Sequence, residues 1–276
     1  MWNVTETQAG SRVGATHSQS LTRGLSILAS FRGQKPLLGI ADLSRSLGYQ
    51  PSTTHRYVAT LVHLGYLEQD AATRKYRLGP QVLDLGLAVI NSMELRAVAA
   101  PYLRQLSDET GHTVNMAIRD GADIVYVERS RNRREGQREI DLDLNVGARL
   151  PAYCTSMGKV LLADLPDDEV LALLAGVTLR QRGPNTVTNP AALLKELVKV
   201  REEGLAVNNE ELAYGLRSIA APIRDRSGEA VAAINLAVHG SMGATSMRDV
   251  VGGLSPALRR TATAISRRMG YVSASA

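Results

Sequence analysis

The first third of the chain carries apolar residues at the spacing of amphipathic helices. A first helix is predicted from five apolar positions, Leu21, Leu25, Ile27, Leu28 and Phe31. Ser20 stands at its start, where a hydroxyl can cap free backbone N–H groups. Gly33 and Pro36 interrupt the pattern, so the helix is expected to end before them.

Two further helices follow, joined by a tight turn. The second is predicted from Ile40, Leu43 and Leu47. Gly48 is expected to end it, because glycine adopts positive φ readily. The third is predicted over residues 51–64, with Pro51 in its first turn and a thin inward face at Thr54, Val58 and Leu61. Two helices joined in this way form a helix-turn-helix.

A short β-hairpin is predicted directly after the third helix. Residues 66–69 and 75–78 favour strands, and residues 70–74 between them favour a turn. A hairpin in this place is the wing of a winged helix-turn-helix. Because residues 1–19 lack periodicity, we expect a flexible tail there and assign the DNA-binding domain to residues 20–79.

The next segment, residues 80–107, is predicted to be a linker helix or a pair of helices. Its apolar residues lie on more than one side, which is more than a single buried face needs. We therefore expect it to pack against its own domain and against a partner chain. A break is expected near Asn91 and Ser92, and Pro101 is expected to open a second helical segment.

The remaining residues, 108–273, show a mixed pattern. An Asp-Gly pair separates two strand-like runs, 112–119 and 122–128, which is a strong hairpin signal. A strictly alternating run at 140–146 predicts a further half-buried strand. Helices are predicted at 156–164, 167–175, 190–203 and 245–269, and strands at 206–210, 217–224 and 230–238. Because strands and helices do not alternate regularly, the pattern predicts an α+β domain and not a doubly wound sheet.

Charge is distributed unevenly between these parts. The 276 residues carry a formal net charge of +5. Residues 21–80 contain eight basic and three acidic residues, so this segment holds the whole excess. A basic module joined to a neutral one is typical of a nucleic-acid-binding protein with a second activity. One Phe and one Trp leave few aromatic platforms for stacking single-stranded bases.

The sequence also limits compartment and cofactors. No apolar run opens the chain as a signal peptide would, and none approaches the ~18 residues of a membrane span. Cys154 is the only cysteine, so no disulfide can form within one chain. We expect a cytoplasmic protein with no cofactor, no metal and no membrane partner.

The third helix presents polar residues on its outer, N-terminal face. Such side chains suit a DNA major groove, and basic residues on a wing suit phosphates or the minor groove. The candidate DNA-binding residues are Gln50, Ser52, Thr53, His55, Arg56, Thr60, Arg74 and Lys75. The alternative is an ordinary solvated helix followed by a charged hairpin.

A second candidate site is the small-residue loop before the helix at 156–164. Backbone N–H groups at a helix N-terminus favour an anion such as a carboxylate, and a tight packed turn is the alternative. A hydrolase or acyltransferase would instead need a nucleophile beside a base. The candidates for those roles are Cys154, Ser156, His112 and His239. Cys154 with the two histidines would also form a zinc site, but their spacing lacks the regularity of one.

Several longer motifs resemble those of the IclR family of transcriptional regulators. They are RGLSIL at 23–28, STTHRY at 52–57 with LVHLGY at 61–66, TSMGKVLLA at 155–163 and EELAYGLRSIA at 210–220. The resemblance extends from about Ser20 to Tyr271. The runs RLPAYCTSMGK at 149–159 and GLRSIAAP at 215–222 are most similar to the branch that controls aromatic-acid catabolism, the β-ketoadipate pathway group.

The resemblance implies a winged helix-turn-helix, a linker helix and a C-terminal GAF-like (profilin-like) domain that binds a small carboxylate. It implies homodimers, often paired into homotetramers, on double-stranded operator DNA, with RNA polymerase as a further candidate partner. The pocket positions carried over are Leu150, Ser156, Met157, Asn208, Leu216, Ser218, Asn235 and Ala237. Tyr153 is expected to add an aromatic face, and Arg149 and Arg217 to add charge, unless Arg217 forms a structural ion pair.

Some small-acid sensors of the family carry Asp, Cys, Ser and Ser at the positions of Asn208, Ser218, Asn235 and Ala237. This chain differs at all four, so a different acid is expected: 4-hydroxybenzoate, protocatechuate, β-ketoadipate or muconate. Two alternatives stand beside the enzyme. One is a repressor of the same family that senses an unrelated small acid, and the other is an architectural DNA-binding protein whose second domain only oligomerises.

Overall fold

The computed structural model describes residues 18–32, 36–131, 144–239 and 246–272. The chain divides into two compact units between Val89 and Ile90, and each is described by itself. Of the alternating run that predicts a strand at 140–146, residues 140–143 lie outside the described ranges, and residues 144–146 form no strand.

In the first unit the three predicted helices and the hairpin are confirmed. The elements are α1 (Gln19–Ala29), α2 (Ile40–Leu47), α3 (Pro51–His63), β1 (Leu67–Gln69) and β2 (Tyr76–Leu78), followed by α4 (Pro80–Ser92). The prediction is wrong in one detail, because Ser18 and not Ser20 caps α1 by accepting a hydrogen bond from the backbone N–H of Leu21. The hydroxyl of Ser20 instead accepts a hydrogen bond from Tyr57.

The elements of this unit pack around one small apolar core. Its buried members are Ile27, Phe31, Leu43, Val58, Leu61, Leu67 and Tyr76. Gly48 ends α2 in the left-handed region with a φ of 69°, which lets the chain turn sharply into α3. Leu38 pairs with Tyr76 and ties the hairpin to the segment before α2.

The second unit contains an antiparallel sheet with helices on both faces. Its helices are α5 (Glu94–Thr110), α6 (Ser156–Ala163), α7 (Asp167–Leu174), α8 (Pro190–Glu203) and α9 (Met247–Arg268). Its strands are β3 (Thr113–Asp120), β4 (Asp123–Ser130), β5 (Arg149–Pro151), β6 (Ala206–Asn209), β7 (Leu216–Arg224) and β8 (Ala230–His239). These strands lie in the order β5-β4-β3-β8-β7-β6, which confirms the α+β prediction.

Both faces of the sheet pack against helices, and successive side chains of a strand point to opposite faces. Ala117 and Ala233 pack with α6, α7 and α8 on one face. Their chain neighbours Met116 and Ile234 pack with α5 and α9 on the other. The sheet is therefore the middle of three layers, and side chains on its α6 face are enclosed between strands and helices.

Two features of this unit differ from the sequence-based expectations. Pro101 lies inside α5 and does not open a helix. The three-residue strand β5, at the edge of the sheet beside β4, was not predicted. In the described parts of the chain, no helix combines the length and the hydropathy that crossing a bilayer requires.

Candidate nucleic-acid interface and ligand cavity

The outer face of α3 is solvent-exposed and polar. Gln50, Ser52, His55, Arg56 and Thr60 are exposed, and Thr53 is half-buried. The side chain of Gln50 makes no capping hydrogen bond to the helix that it precedes. All six candidates on this helix and its N-cap therefore lie at or near the surface, as recognition of a DNA groove requires.

A buried hydrogen bond and a group of surface contacts hold the outer face of α3 in place. Inside the unit, Ser44 Oγ donates to Thr54 Oγ1 at 2.9 Å, which joins α2 to α3 through a buried contact. At the surface of the unit, the Arg56 guanidinium lies 5.4 Å from the centre of the Tyr57 ring, within the range of a cation–π contact. Tyr57 in turn donates to Ser20 Oγ at 3.1 Å. Arg56 is thus supported at the surface and not buried by these contacts.

The wing carries exposed positive charge at its turn. Asp70 Oδ1 accepts a hydrogen bond from the backbone N–H of Thr73 at 2.7 Å, which closes the turn, and Arg74 follows with a positive φ of 59°. Arg77 forms an ion pair with its cross-strand partner Glu68 at 3.0 Å. Arg74 and Lys75 are exposed, and neither has a carboxylate partner among the described residues. The charge left for an anionic partner is therefore at the tip.

A small cavity lies between the sheet of the second unit and α6. Two rows of register partners form its floor. The first row is Thr113, Ala237, Ser218 and Asn208, on β3, β8, β7 and β6. The second row is Arg129, Asn115 and Asn235, on β4, β3 and β8. The rows are two residues apart on each strand, so they share one face of the sheet about 7 Å apart.

The remaining lining residues close the cavity from above and from its ends. They are Tyr126, Leu144, Thr155, Ser156, Leu212 and Leu216. Across the top, Ser156 Oγ and Ser218 Oγ lie 2.7 Å apart and share a hydrogen bond. Arg129 is the one residue of the described lining that carries a formal charge, and its guanidinium donates to the backbone carbonyl of Leu144. The cavity is thus polar, with positive charge at one end.

The structure brings six of the nine predicted effector residues to this cavity. They are Ser156, Asn208, Leu216, Ser218, Asn235 and Ala237. Met157 is fully buried in the core, and Leu150 packs against that core from β5. Tyr153 is also buried, and its hydroxyl donates to the carbonyl of Arg180 at 2.7 Å. These three positions support the wall but do not line the space.

Two arginines that were expected to add charge form ion pairs instead. Arg149 pairs with Asp120 at 2.5 Å, and Arg217 pairs with Glu210 at 3.0 Å. Neither arginine lines the cavity. The positive charge at the cavity comes from Arg129, which was not among the predicted residues.

Seven lining residues were not predicted: Thr113, Asn115, Tyr126, Arg129, Leu144, Thr155 and Leu212. A signal for Thr113 and Asn115 exists, because they alternate with Val114 and Met116 in a run of high strand propensity. A polar residue at every second position of an otherwise apolar strand indicates a buried polar face when helices cover both sides. Arg129 gives no such signal, since it lies near the end of its strand.

The loop before α6 is tightly packed. A Cβ on Gly158 would lie 2.2 Å from the carbonyl oxygen of Ala152, so only glycine fits this first turn. Thr155 caps the helix by accepting a hydrogen bond from the backbone N–H of Gly158 at 3.1 Å. The loop is thus a packed turn, and it places Ser156 at a helix N-terminus that faces the cavity. The anion site at that N-terminus stays a prediction.

A buried ion pair joins α6 to the segment that follows β6, beside the cavity. Lys159 is 4% exposed, and its Nζ lies 2.6 Å from Glu211 Oε1 and 3.2 Å from Glu196 Oε2. Burial raises the pKa of Glu211, and the Lys159 ammonium opposes that rise. The backbone N–H of Glu211 donates to Asn208 Oδ1, and Asn208 Nδ2 donates to the carbonyl of Cys154. Asn208 therefore connects the loop before α6 to the segment that follows β6.

The size of the cavity bears on the architectural alternative. Its volume is about 30 Å³, room for about one or two water molecules. A domain that only oligomerises would fill such a space with apolar side chains, because an unpaired buried polar group costs about 1–3 kcal/mol. Here polar residues from β3, β6, β7, β8 and α6 converge on it. The polar lining favours a ligand site, and a ring-sized ligand requires lining side chains to move outward.

The arrangement around Cys154 does not resemble an active site. The thiol is buried, and burial raises its pKa to about 11. Its Sγ is within hydrogen-bonding distance of the carbonyl of Pro151, and the Ser156 hydroxyl is bonded to another hydroxyl, that of Ser218. The side chain of His239 lies outside the described residues. Within the described ranges no group of three or more His, Cys, Asp or Glu residues could hold a metal ion.

Two family models match the chain. Residues 20–71 match the IclR helix-turn-helix domain. Residues 87–267 match the model described as bacterial transcriptional regulator IclR C-terminal. Together they span the helix-turn-helix and nearly all of the second unit.

Individual proteins are similar over most of the chain. The Pca regulon regulatory protein of Pseudomonas putida is 41% identical over 220 residues, which are 80% of this chain and 74% of that protein. The structure of a transcriptional regulator from Rhodococcus sp. RHA1 is 38% identical, with a TM-score of 0.75 over 92% of this chain and 99% of that one. An IclR homolog from Microbacterium hydrocarbonoxydans, complexed with 4-hydroxybenzoate, is 27% identical, with a TM-score of 0.72 over 91% and 99%.

The Cys154 thiol should be unreactive in the folded protein. A pKa of about 11, against an ordinary 9.0, lowers the thiolate fraction near neutral pH about 100-fold, and burial slows access further. We expect alkylation by iodoacetamide at about pH 8 to be at least about 100-fold slower in buffer than in denaturant. Raising the pH should increase the rate in buffer. Rapid alkylation in buffer would contradict the buried, protonated state of the Cys154 thiol.

Proposed function

Because this chain belongs to the IclR family of bacterial transcriptional regulators, we propose that it binds operator DNA through α3 and the wing, in response to a small carboxylate in the cavity. Family membership makes the chain a regulator and not an enzyme. The observation that carries the DNA-binding assignment is the exposed polar face of α3 beside the charged wing tip, within the segment that holds all net positive charge. Its place of action is the cytoplasm, where a bacterial operator lies.

Arg56 is the residue that we assign to base or phosphate contact. An Arg56→Ala variant should lose about 1–3 kcal/mol of operator affinity if it contacts a base, or about 1 unit of salt slope if it contacts a phosphate. The measurement is a gel shift or anisotropy titration at several salt concentrations. Arg248→Ala is the matched control, because it removes an equal, exposed charge from α9 in the other unit.

Equal losses in the two variants would show a general effect of charge. Unchanged affinity and unchanged salt slope in Arg56→Ala would contradict the assignment of α3 to the groove.

We assign α4 to a homodimer interface. Its residues Leu83, Leu85, Leu87 and Val89 are all exposed, with Leu83 63% and Leu87 44% accessible. Four large apolar side chains on one solvent-exposed helix indicate an interaction surface. A two-fold dimer would match a palindromic operator with half-sites about one helical turn apart, or a multiple of it. Pairing of two dimers would give the tetramer that the family resemblance implies.

The double variant Leu83→Glu/Leu87→Glu should be monomeric. The two residues are four positions apart, so they lie on one face of the helix, where two charges oppose burial against a second copy. Sedimentation velocity measures the outcome. Leu171→Glu, at a 43% exposed leucine on α7, is the control and should retain the state of the unmodified chain. A dimer that survives the double substitution would place the interface elsewhere.

The effector that we propose is an aromatic or β-ketoadipate-pathway acid. The Ser156–Ser218 hydroxyl pair and the N-terminus of α6 suit a carboxylate, and Arg129 adds positive charge in the second row of the floor. The similarity to a Pca regulon regulator and to a homolog complexed with 4-hydroxybenzoate supports this class. Candidates are 4-hydroxybenzoate, protocatechuate, β-ketoadipate and muconate. An unrelated small acid is the alternative.

A thermal-unfolding screen of these acids tests the effector class. An acid at 100 times its Kd should stabilise the protein by about 2.7 kcal/mol and raise Tm. Ser218→Ala should fold, because it removes one hydroxyl, but should show a smaller rise with the same acid. No stabilisation by any of the four acids would contradict the pathway assignment.

A further inference from the structure

Asn115, on the floor of the cavity, carries a hydrogen-bond acceptor that the described part of the chain leaves unused. Asn115 is 2% exposed, and its Nδ2 donates to Asn235 Oδ1 at 2.8 Å. Its own Oδ1 is buried and has no hydrogen-bond partner among the described residues. Buried polar atoms are satisfied in the large majority of native structures, so an orphaned acceptor in a ligand cavity needs a functional explanation.

Four of the neighbouring polar side chains are occupied by the protein itself: Thr155, Ser156, Ser218 and Asn208. Thr155 Oγ1 lies within hydrogen-bonding distance of Gly158 N and the carbonyl of Ala152. Ser156 and Ser218 bond to each other. Asn208 is used at both ends of its amide. Asn115 Oδ1 thus differs from these groups, because it offers an acceptor to whatever enters the cavity.

The register holds that acceptor in one place. Asn115 is the cross-strand partner of Asn235 on one side and of Arg129 on the other. It therefore stands in the second row of the floor, while Ser218 stands in the first. A ligand that lies across both rows would present two different groups to the protein, one at each row.

An amide oxygen accepts hydrogen bonds, so the ligand group beside Asn115 Oδ1 must be a donor. A carboxylate offers only acceptors and cannot satisfy Oδ1, whereas a hydroxyl donates. An ammonium donates too, but the charge of the described lining, on Arg129, is positive and opposes it. We propose that the effector is a hydroxy acid whose hydroxyl donates to Asn115 Oδ1, with its carboxylate at the Ser156–Ser218 side. This inference rests on the proposed effector function of the cavity.

Asn115 would then determine specificity. A site built to bond a hydroxyl rejects the analogue that lacks it, because the protein acceptor is left unpaired. The expected preference for a hydroxy acid over its parent acid is about tenfold or more for one such bond. A water molecule that served Oδ1 in place of the hydroxyl would erase this preference.

Calorimetric titration of the full chain tests the inference with benzoate, 3-hydroxybenzoate, 4-hydroxybenzoate and protocatechuate. The readout is the ratio of the Kd of benzoate to that of the best hydroxylated acid. This ratio cancels general damage to the cavity, which changes both affinities. The unmodified chain should show a ratio of about ten or more, and Asn115→Ala a ratio near one.

Asn235→Ala is the matched variant, because it removes the other amide of the pair and leaves Asn115 Oδ1 in place. It should retain the preference even where both affinities fall. Asn115→Val, which also lacks an acceptor and suits a strand, replaces Asn115→Ala if the alanine variant does not fold. Equal affinities in the unmodified chain overturn the inference without any variant.

The outcomes separate the two proposals. Equal binding of benzoate and the hydroxylated acids, or a preference that survives Asn115→Ala, overturns the role of Asn115 and leaves the aromatic-acid effector intact. Failure of all four compounds to bind overturns the aromatic effector, and the inference with it. A preference lost in Asn115→Ala and kept in Asn235→Ala supports both.

Discussion

The ligand cavity depends on the two-residue period of an antiparallel sheet that is covered on both faces. Asn115 points to the cavity because Val114 and Met116 point to α5 and α9. A slip of one residue in the pairing of β3 would exchange these faces and place an amide in an apolar layer. The apolar packing of one face therefore determines where the polar groups of the other face stand. The same period places Ser218 and Asn235 on the cavity side of β7 and β8.

Interactions around the sheet then convert this position into a defined site. Gly158 allows α6 to begin against Ala152, which brings Ser156 within hydrogen-bonding distance of Ser218. The Lys159–Glu211 ion pair and the amide of Asn208 join α6 and the loop before it to the segment that follows β6. Such a pair contributes positional specificity more than net stability, because the desolvation of both charges offsets their attraction.

The sequence predicts helices and turns better than it predicts which residues of distant strands meet at one site. The helix face at α3, the turn at Gly48 and the hairpin followed from short-range spacing. Six cavity residues followed from resemblance to a family, with five of them on β6, β7 and β8. Asn115 and Arg129 were missed because their importance comes from strand register. Arg129 pairs with Asn115, and Asn115 pairs with Asn235, which lies 120 residues away in sequence. Pro101 was misjudged because tertiary packing outweighs the local preference against proline inside a helix.

The proposed function couples acid binding to operator binding in one chain. Coupling is reciprocal at equilibrium, so an acid that changes operator affinity by some factor must have its own affinity changed by the same factor by the operator. The direct measurement is a pair of titrations: operator affinity with and without saturating acid, and acid affinity with and without saturating operator. We predict equal factors, in a range of about 5–150. Independence of the two affinities would contradict the account.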